Sequence, residues 1–355
     1  MRVTIPVPIT PAKLVSSTAS DVHNPAAYDA GTTYAFGAIV SVAADFAIYE
    51  SLEDGNIGKT PGTEPLYWRR LGATEAAYNA GTTYALGATV SNSNRVYESL
   101  QASNTGNATP VLPETQTDWW IDVGPTNKWS MLDASSNTQT VQASPLTVVI
   151  APGARCNTIG VTGLAAQAIT ISATSVLGGG TIFSPVTQDL TIRQVVDGYS
   201  YCFEPFGTRP SVVYFEVPPF SDVIFTITIS STNGNVKCGS VIVGNYVYLG
   251  QAEYGARGDA LNFSTIDRDL YGNATLIPRR SVPKTNQTLV ADAIYVNKIR
   301  AARTALNAVP ALWTGLDNDS SNWFDMLAVM GVYKTFEITA SDFSRATVSL
   351  EIEEI

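Results

Sequence analysis

A short stretch of the chain occurs twice: AAYDAGTTYAFGAIV begins at Ala26, and AAYNAGTTYALGATV begins at Ala76. The correspondence continues through IYESLEDGNIGKTP and VYESLQASNTGNATP and ends at LYWRRLG and DWWIDVG. Repetition at a fixed period means that this part of the chain is built from copies of one small unit. We therefore predict four segments: an N-terminal arm over 1–25, a first repeat over 26–74, a second repeat over 75–126 and a further domain over 127–355.

Each repeat shows the pattern of three short strands around a small aromatic core. Within GAIVSVA and FAIYESL, apolar and polar residues alternate with period two, which is typical of half-buried strands. A loop rich in Asn, Gly and Pro follows, and then a strand that contains tryptophan. A unit this small has little interior, so large aromatic side chains must supply most of it. We predict that these are Tyr49 and Trp68 in the first repeat and Tyr97 and Trp120 in the second.

The order of Tyr, Gly, Val, Tyr, Pro and Trp in each repeat resembles the small chitin- and cellulose-binding modules of carbohydrate-binding families 5 and 12. In that family, exposed aromatic side chains stack against sugar rings. The tryptophan pair that commonly follows the tyrosine strand there is replaced in this chain by ESLEDGN and ESLQASN. The aromatic residues left as candidates for carbohydrate binding are Tyr34, Tyr84, Tyr67 and Trp119. The alternative is that these four are packing residues as well.

The remainder of the chain is predicted to be a β-sandwich. Strand-like runs are separated by Gly, Pro and Asn, and they include LTVVIAP, AITISATSV, SVVYFEV, VIFTITISS and GSVIVGNYVYLG. One stretch differs, because apolar residues recur there at helical spacing: Ile294, Ile299, Ala302 and Leu306. We predict one amphipathic helix near 290–308. The predicted fold class is thus mainly β, with two small three-stranded β modules in tandem followed by a β-sandwich domain with one amphipathic helix.

Charge and hydropathy argue against two classes of partner. The 355 residues include 21 Lys and Arg against 31 Asp and Glu, which gives a net charge of −10 at pH 7. Nucleic-acid binding requires a concentrated basic face, so we expect no nucleic-acid partner. No apolar run is long enough to cross a bilayer as a helix, so we expect no membrane insertion. The opening VTIPVPITP is interrupted by prolines, so we expect synthesis in a cytoplasm without a signal peptide.

Residue patterns of catalytic and metal sites are scarce. The chain has one histidine, His23, and three widely spaced cysteines, which we predict to be buried free thiols rather than zinc ligands or disulfides. Paired carboxylates can build a glycosidase without histidine. The acidic pairs fit turns or a solvated strand edge better: Asp317 with Asp319, Glu351 with Glu353, and Asp267 with Asp269. We predict that the chain is not an enzyme and has no catalytic residue, no metal and no cofactor.

The wider order of segments resembles a group of bacteriophage tail proteins. The segments that carry this resemblance are PVPITPAKLVSST, the repeats, VGPTNKWSMLD, IPRRSVP, PALWTG and a closing SLEIE strand. The resemblance implies a structural virion protein of the tail tip or baseplate, with other tail proteins as partners and homo-oligomers as a further option. It implies no catalytic residues. Two alternatives stay open: a host-receptor protein whose repeats bind surface polysaccharide, and a secreted polysaccharide-degrading enzyme.

Overall fold

The computed structural model divides the chain into two compact units. The larger unit contains Met1–Thr18 and Met131–Ile355, and the smaller unit contains Ala19–Ser130. The structure describes all residues except 20–25, 43–46, 74–75, 134, 136–137, 177–178, 193–195, 204–206, 233, 269–270, 272, 278–280 and 317–322.

The strands are numbered along the chain. The larger unit begins with β1 (Arg2–Pro6) and β2 (Leu14–Ser17). The smaller unit has β3 (Ile39–Val42), β4 (Ala47–Ser51), β5 (Trp68–Ala73), β6 (Ala76–Ala77), β7 (Thr83–Tyr84), β8 (Thr89–Asn92), β9 (Arg95–Ser99), β10 (Asn104–Thr105) and β11 (Trp120–Pro125).

The larger unit then continues with many more strands and a few short helices. Its strands are β12 (Thr140–Ala143), β13 (Leu146–Ile150), β14 (Thr158–Thr162), β15 (Ala168–Ser175), β16 (Thr181–Asp189), β17 (Thr191–Ile192), β18 (Gly207–Thr208), β19 (Val212–Phe215), β20 (Val223–Ser230), β21 (Asn235–Cys238), β22 (Ser240–Tyr248), β23 (Gln251–Ala252), β24 (Arg257–Asn262), β25 (Thr265–Arg268), β26 (Ala274–Ile277), β27 (Ser281–Asp292), β28 (Ala311–Thr314), β29 (Ala328–Ala340) and β30 (Arg345–Glu354). Its helices are α1 (Gly198–Phe203), α2 (Val296–Ala305) and α3 (Phe324–Leu327), with a 3-10 turn at Ala293–Tyr295.

The two repeats form equivalent small sheets in the smaller unit. In the first repeat, β3, β4 and β5 make an antiparallel sheet. In the second, the order is β11-β9-β8-β6, and β7 pairs separately with β10. The first repeat replaces the β6 and β7 pairings with single bridges, from Ala27 to Ser41 and from Tyr34 to Asn56. Both repeats therefore have the same chain path, and the predicted strand–loop–strand pattern is found in each.

A ten-stranded sheet forms the largest part of the larger unit. Its order is β19-β14-β22-β1-β28-β29-β30-β27-β23, with β24 also paired to β27. The first strand of the chain thus lies in the middle of the sheet, where Val3 is opposite Val247 on one side and Trp313 on the other. Residues 1–18, which we assigned from the sequence to an N-terminal arm, supply two strands of this unit.

A five-stranded sheet, in the order β16-β15-β20-β13-β2, supplies the second layer of the larger unit. Alternate residues of β13, β15 and β20 are buried, as expected for a sheet with one face in a core. Strand β14 and the first five residues of β22, 240–244, are buried on both faces of the large sheet. The rings of Phe183 and Tyr214 bridge the two sheets with their centroids 6.1 Å apart. These features confirm a mainly β fold with two packed sheets.

The predicted helix near 290–308 begins later than the sequence pattern indicated. Residues up to Asp292 belong to β27, where Leu289 is buried opposite Val348 with the period of a strand. The helix occupies Val296–Ala305, and its buried side is formed by Ile299 and Ala302, with Leu306 just beyond. Ile294, predicted to lie on the buried face, is 82% exposed because it belongs to the 3-10 turn.

Candidate functional site

Each repeat has a buried core of three residues at equivalent positions. These are Val40, Tyr49 and Trp68 in the first repeat and Val90, Tyr97 and Trp120 in the second. Each tryptophan donates its indole N–H to a backbone carbonyl of the preceding loop. The distance is 2.7 Å to Lys59 in the first repeat and 2.9 Å to Asn107 in the second. The indole is thus fully buried and still hydrogen-bonded, which is the favourable arrangement for tryptophan.

Tyr34 and Tyr84, two of the predicted sugar-binding residues, are engaged within their own repeats. The Tyr34 hydroxyl accepts the backbone N–H of Asp29 at 2.8 Å and donates to the Asp29 carbonyl at 3.2 Å. Its ring lies 5.9 Å from Tyr28 and 5.3 Å from Trp68, centroid to centroid. Tyr84 makes the same contacts with Asn79, Tyr78 and Trp120. The structure therefore gives both tyrosines a role in closing the repeat.

The turn that these tyrosines close is an Asx turn in both repeats. The Asp29 carboxylate accepts the Gly31 N–H at 3.1 Å and the Thr32 hydroxyl at 3.0 Å, and these hydrogen bonds lower the pKa of Asp29. In the second repeat, the Asn79 side-chain oxygen accepts the Gly81 N–H at 2.8 Å. Asp and Asn both make this local bond, which explains why the position differs between the copies without a change in backbone path.

Tyr67 and Trp119, the other two candidates, lie beside the core tryptophans and are half-buried. In the first repeat, the Lys59 ammonium lies 4.5 Å from the centroid of the Tyr67 ring and 3.6 Å from the Glu64 carboxylate. Among the residues that the structure describes, no cation lies over the ring of Trp119. The two repeats therefore present this aromatic position differently, because a lysine covers it in the first copy alone.

A buried asparagine also distinguishes the two repeats. In the second repeat, the Asn104 amide donates to Ser99 Oγ at 2.9 Å, and its oxygen accepts from the Asn107 amide at 2.9 Å. In the first repeat, the equivalent Asn56 donates to Ser51 Oγ at 3.0 Å. Its oxygen has no hydrogen-bond partner, because Lys59 occupies the position of Asn107. The second repeat thus has the more complete buried hydrogen-bond network.

Removing the Asn107 side chain should therefore weaken the second repeat. We expect Asn107→Ala to lower its local free energy of unfolding by about 1–2 kcal/mol, because the buried Asn104 oxygen loses its donor. The matched variant Lys59→Ala should cost no more than about 1 kcal/mol, since it removes only a surface ion pair and a cation–π contact. Native-state hydrogen exchange of the β4 and β9 amides measures both effects. A larger loss of local stability for Lys59→Ala than for Asn107→Ala would contradict the view that the second repeat has the more complete buried hydrogen-bond network.

An exposed apolar residue lies two positions after Tyr34 in the first repeat and two positions after Tyr84 in the second. Our sequence interpretation did not single out either residue. Phe36 is 66% exposed and Leu86 is 67% exposed, at equivalent positions in the two repeats. Each precedes a glycine in the left-handed region, Gly37 at φ 79° and Gly87 at φ 78°. The sequence contained a signal for this feature, because both repeats have an apolar residue directly before a glycine in a turn.

Two of the carboxylates that were weighed for catalysis are held in ion pairs with lysines. Glu351 and Glu353 belong to β30, an interior strand, so our prediction of a solvated edge for them is wrong. Glu351 pairs with Lys284, whose hydrogen bond lowers the pKa of the carboxyl, and Glu353 pairs with Lys334 at 3.0 Å. Asp267 lies on the exposed strand β25. The other residues weighed for catalysis, His23, Asp269, Asp317 and Asp319, lie outside the described residues.

Two of the three cysteines are buried free thiols, as predicted, and the third is not. Burial raises the pKa of Cys156 to about 11 and that of Cys238 to about 12, which disfavours the reactive thiolate. Cys202 is exposed on α1, because that short helix buries only Ser200. Within the described part of the chain, no group of three or more His, Cys, Asp and Glu side chains could hold a metal ion.

Comparisons with known proteins add little to this description. None of the helices among the described residues has the length and hydropathy that a bilayer crossing requires. No family model and no curated protein matches the chain. Among solved structures, the chain is similar to a chain of a particle described as "Virion of native gene transfer agent (GTA) particle". The TM-score is 0.23 at 11% identity, and the similarity covers 31% of this chain and 98% of that chain.

Proposed function

We propose that the chain is a structural protein of a bacteriophage virion, located at the tail tip or baseplate. In this proposal, the larger unit contacts other tail proteins, and the two repeats are presented toward the host surface. Its partners are then proteins, with no nucleic acid or membrane insertion involved. The protein is made in the host cytoplasm and leaves with the particle.

The observation that carries the proposal is that two repeats with equivalent buried cores and equivalent Trp-to-carbonyl hydrogen bonds are joined to a mainly β unit. Both repeats keep the buried Tyr–Trp core, the closing tyrosine and the Trp-to-carbonyl hydrogen bond. The order of these parts, with the VGPTNKWSMLD join between them, resembles bacteriophage tail proteins. Duplicated small modules joined to a β-rich unit suit the presentation of a surface, because each repeat has its own aromatic core.

The proposal is tested by asking whether the chain belongs to a particle. Particles from a lysate of the source strain are purified on a density gradient, and their proteins are identified by mass spectrometry. We expect the chain to co-purify with the tail proteins in a constant ratio across the particle peak. Absence of the chain from intact, infectious particles would refute the proposal.

A second candidate function is binding of host surface polysaccharide, favoured by one half-buried aromatic ring that no cation covers in the described structure. The ring of Trp119 is half-buried with no cation over it in the described structure, whereas Lys59 lies over the equivalent Tyr67. A neutral aromatic face of this kind can stack against the apolar face of a sugar ring. We propose Trp119 as the stacking residue. Tyr34 and Tyr84 then have a structural role, because each packs against the core tryptophan of its own repeat, Trp68 or Trp120.

Replacing Trp119 tests this second function. We expect Trp119→Ala to weaken adsorption of the purified protein to host cells by roughly tenfold, which corresponds to about 1.4 kcal/mol. Tyr67→Ala, at the lysine-covered position, should change adsorption little. Equal adsorption of wild type and Trp119→Ala would reject glycan binding through this residue while leaving the structural role intact.

We also propose that the chain has no polysaccharide-degrading activity. Of the carboxylates considered, Glu351 and Glu353 are ion-paired with lysines, which suits them poorly to act as a general acid. We expect no release of reducing sugar from chitin, cellulose or host surface polysaccharide above a heat-denatured control. Sustained release that scales with protein concentration would establish an enzyme instead.

A further inference from the structure

Two buried polar atoms of the first repeat have no hydrogen-bond partner within the described part of the chain. They are the side-chain oxygen of Asn56 and the hydroxyl oxygen of Tyr28. Asn56 is only 1% exposed, so bulk solvent does not reach its side chain. A buried polar group without a partner destabilises a fold, and native structures satisfy nearly all such groups with protein atoms or ordered water.

The orientation of the Asn56 amide is fixed by its neighbours. Its nitrogen donates to Ser51 Oγ at 3.0 Å and to the Tyr67 carbonyl at 3.2 Å. A carbonyl oxygen can only accept a hydrogen bond, so the nitrogen of the amide must lie on this side. A flip of the amide therefore does not satisfy the group, and Asn56 Oδ1 is an acceptor that needs a donor.

The second repeat shows how both atoms are satisfied when the loop provides a partner. The Asn107 amide nitrogen donates to Asn104 Oδ1 at 2.9 Å, and the Asn107 carbonyl accepts the Tyr78 hydroxyl at 2.9 Å. One residue thus supplies a donor to the asparagine and an acceptor to the tyrosine. The rings of Tyr28 and Tyr78 are placed alike, because they lie 5.8 Å and 5.9 Å from the tryptophans of their cores and nearly perpendicular to them.

In the first repeat, Lys59 occupies the position of Asn107 and supplies neither of these two hydrogen bonds. Its carbonyl accepts the Trp68 indole N–H at 2.7 Å. Its ammonium lies 4.5 Å from the centroid of the Tyr67 ring and 3.6 Å from the Glu64 carboxylate. The missing partner must donate one hydrogen bond and accept another. A water molecule does both, and it is smaller than the amide group that it would replace.

We propose that the first repeat binds one buried water molecule, which donates a hydrogen bond to Asn56 Oδ1 and accepts one from the Tyr28 hydroxyl. This water takes the place that Asn107 has in the second repeat. It has the two polar partners that a buried water requires as a minimum. The site lets the first repeat keep the same aromatic core with a lysine at this position, and it does not depend on a role in a virion.

Removal of one tyrosine hydroxyl in each repeat tests the site by the direction of the effect. Tyr78→Phe deletes a direct hydrogen bond, so hydrogen exchange of the β9 amides should become about fivefold faster. With the water in place, Tyr28→Phe also deletes a hydrogen bond, and the β4 amides should exchange faster by a similar factor. Without it, Tyr28→Phe removes a buried hydroxyl that has no partner. Unchanged or slower exchange in Tyr28→Phe would therefore overturn the proposal.

A crystal structure of the full-length chain, at a resolution that shows ordered solvent, locates the water directly. We expect one solvent peak within about 3.2 Å of both Asn56 Oδ1 and Tyr28 Oη, and none beside Asn104 Oδ1. The peak should disappear in Lys59→Asn, because the new amide takes its place as Asn107 does. A peak bonded to only one of the two atoms, no peak at all, or a peak that persists in Lys59→Asn would contradict the site.

Discussion

Trp120→Ala should unfold the second repeat while the larger unit keeps its structure. Trp120 is fully buried, lies 5.2 Å from Tyr84 and 5.9 Å from Tyr78 between ring centroids, and donates a hydrogen bond to the Asn107 carbonyl. Replacing a buried tryptophan with alanine costs about 3–5 kcal/mol. The total stability of a module of this size is not much larger than this cost. We therefore expect hydrogen-exchange protection to be lost over 76–125, whereas the β13, β15 and β20 amides of the larger unit should keep it.

Leu86→Ala is the control within the same repeat. Leu86 is 67% exposed, so its replacement should change local stability by no more than about 0.5 kcal/mol. Retained protection of the β8 and β9 amides in Trp120→Ala would contradict the view that one tryptophan forms most of this core.

Gly244→Ala should release the first strand from the middle of the large sheet. A Cβ at Gly244 would lie 2.1 Å from the backbone oxygen of Ile5 and 2.9 Å from its carbonyl carbon. These atoms belong to the backbone of β1, so no side-chain rotation can relieve the overlap. We expect a loss of about 3 kcal/mol or more in the free energy of unfolding of the larger unit, together with faster exchange of the β1 amides.

Gly180→Ala is the matched control for this substitution. Nothing lies within 4 Å of a Cβ at Gly180, and its φ is outside the left-handed region. Its replacement should leave stability unchanged within about 1 kcal/mol. If Gly244→Ala were as stable as Gly180→Ala, the placement of β1 between β22 and β28 would be wrong.

The features that could be predicted from the sequence are those with a short-range pattern. Alternation with period two identified β13, β15 and β20, because each of these strands buries one face. The repeat identified two equivalent modules, since an alignment of the chain with itself shows which aromatic residues recur.

The features that escaped prediction depend on contacts between distant parts of the chain. The position of β1 in the large sheet depends on partners at Tyr248 and Trp313, which no local pattern reveals. Ile294 fits a helical spacing, but the register of β27 against β30 extends the strand to Asp292 and moves the helix start to Val296. Strand β16 contains Pro185, and a proline argues against a strand unless the strand lies at a sheet edge, as this one does.

For the candidate site, the sequence identified which aromatic residues to consider. It did not show which of their rings are covered by other side chains. The hydroxyl groups of Tyr34 and Tyr84 donate hydrogen bonds to backbone carbonyls of the turn, a contact that only the folded chain shows. The difference between Tyr67 and Trp119 depends on where the Lys59 side chain lies. The sequence shows that Lys59 and Asn107 occupy the same position of the repeat, but our sequence analysis drew no inference from this difference.

The location of the chain in an intact particle decides between a tail-tip protein and other roles. Antibodies raised against a peptide from the exposed turn 33–38 or from 83–88 can be coupled to gold and applied to purified particles. We expect gold at the distal end of the tail in most labelled particles, and none when the antibody is pre-absorbed with the peptide. Labelling confined to the capsid, or spread along the whole tail, would contradict the proposed function.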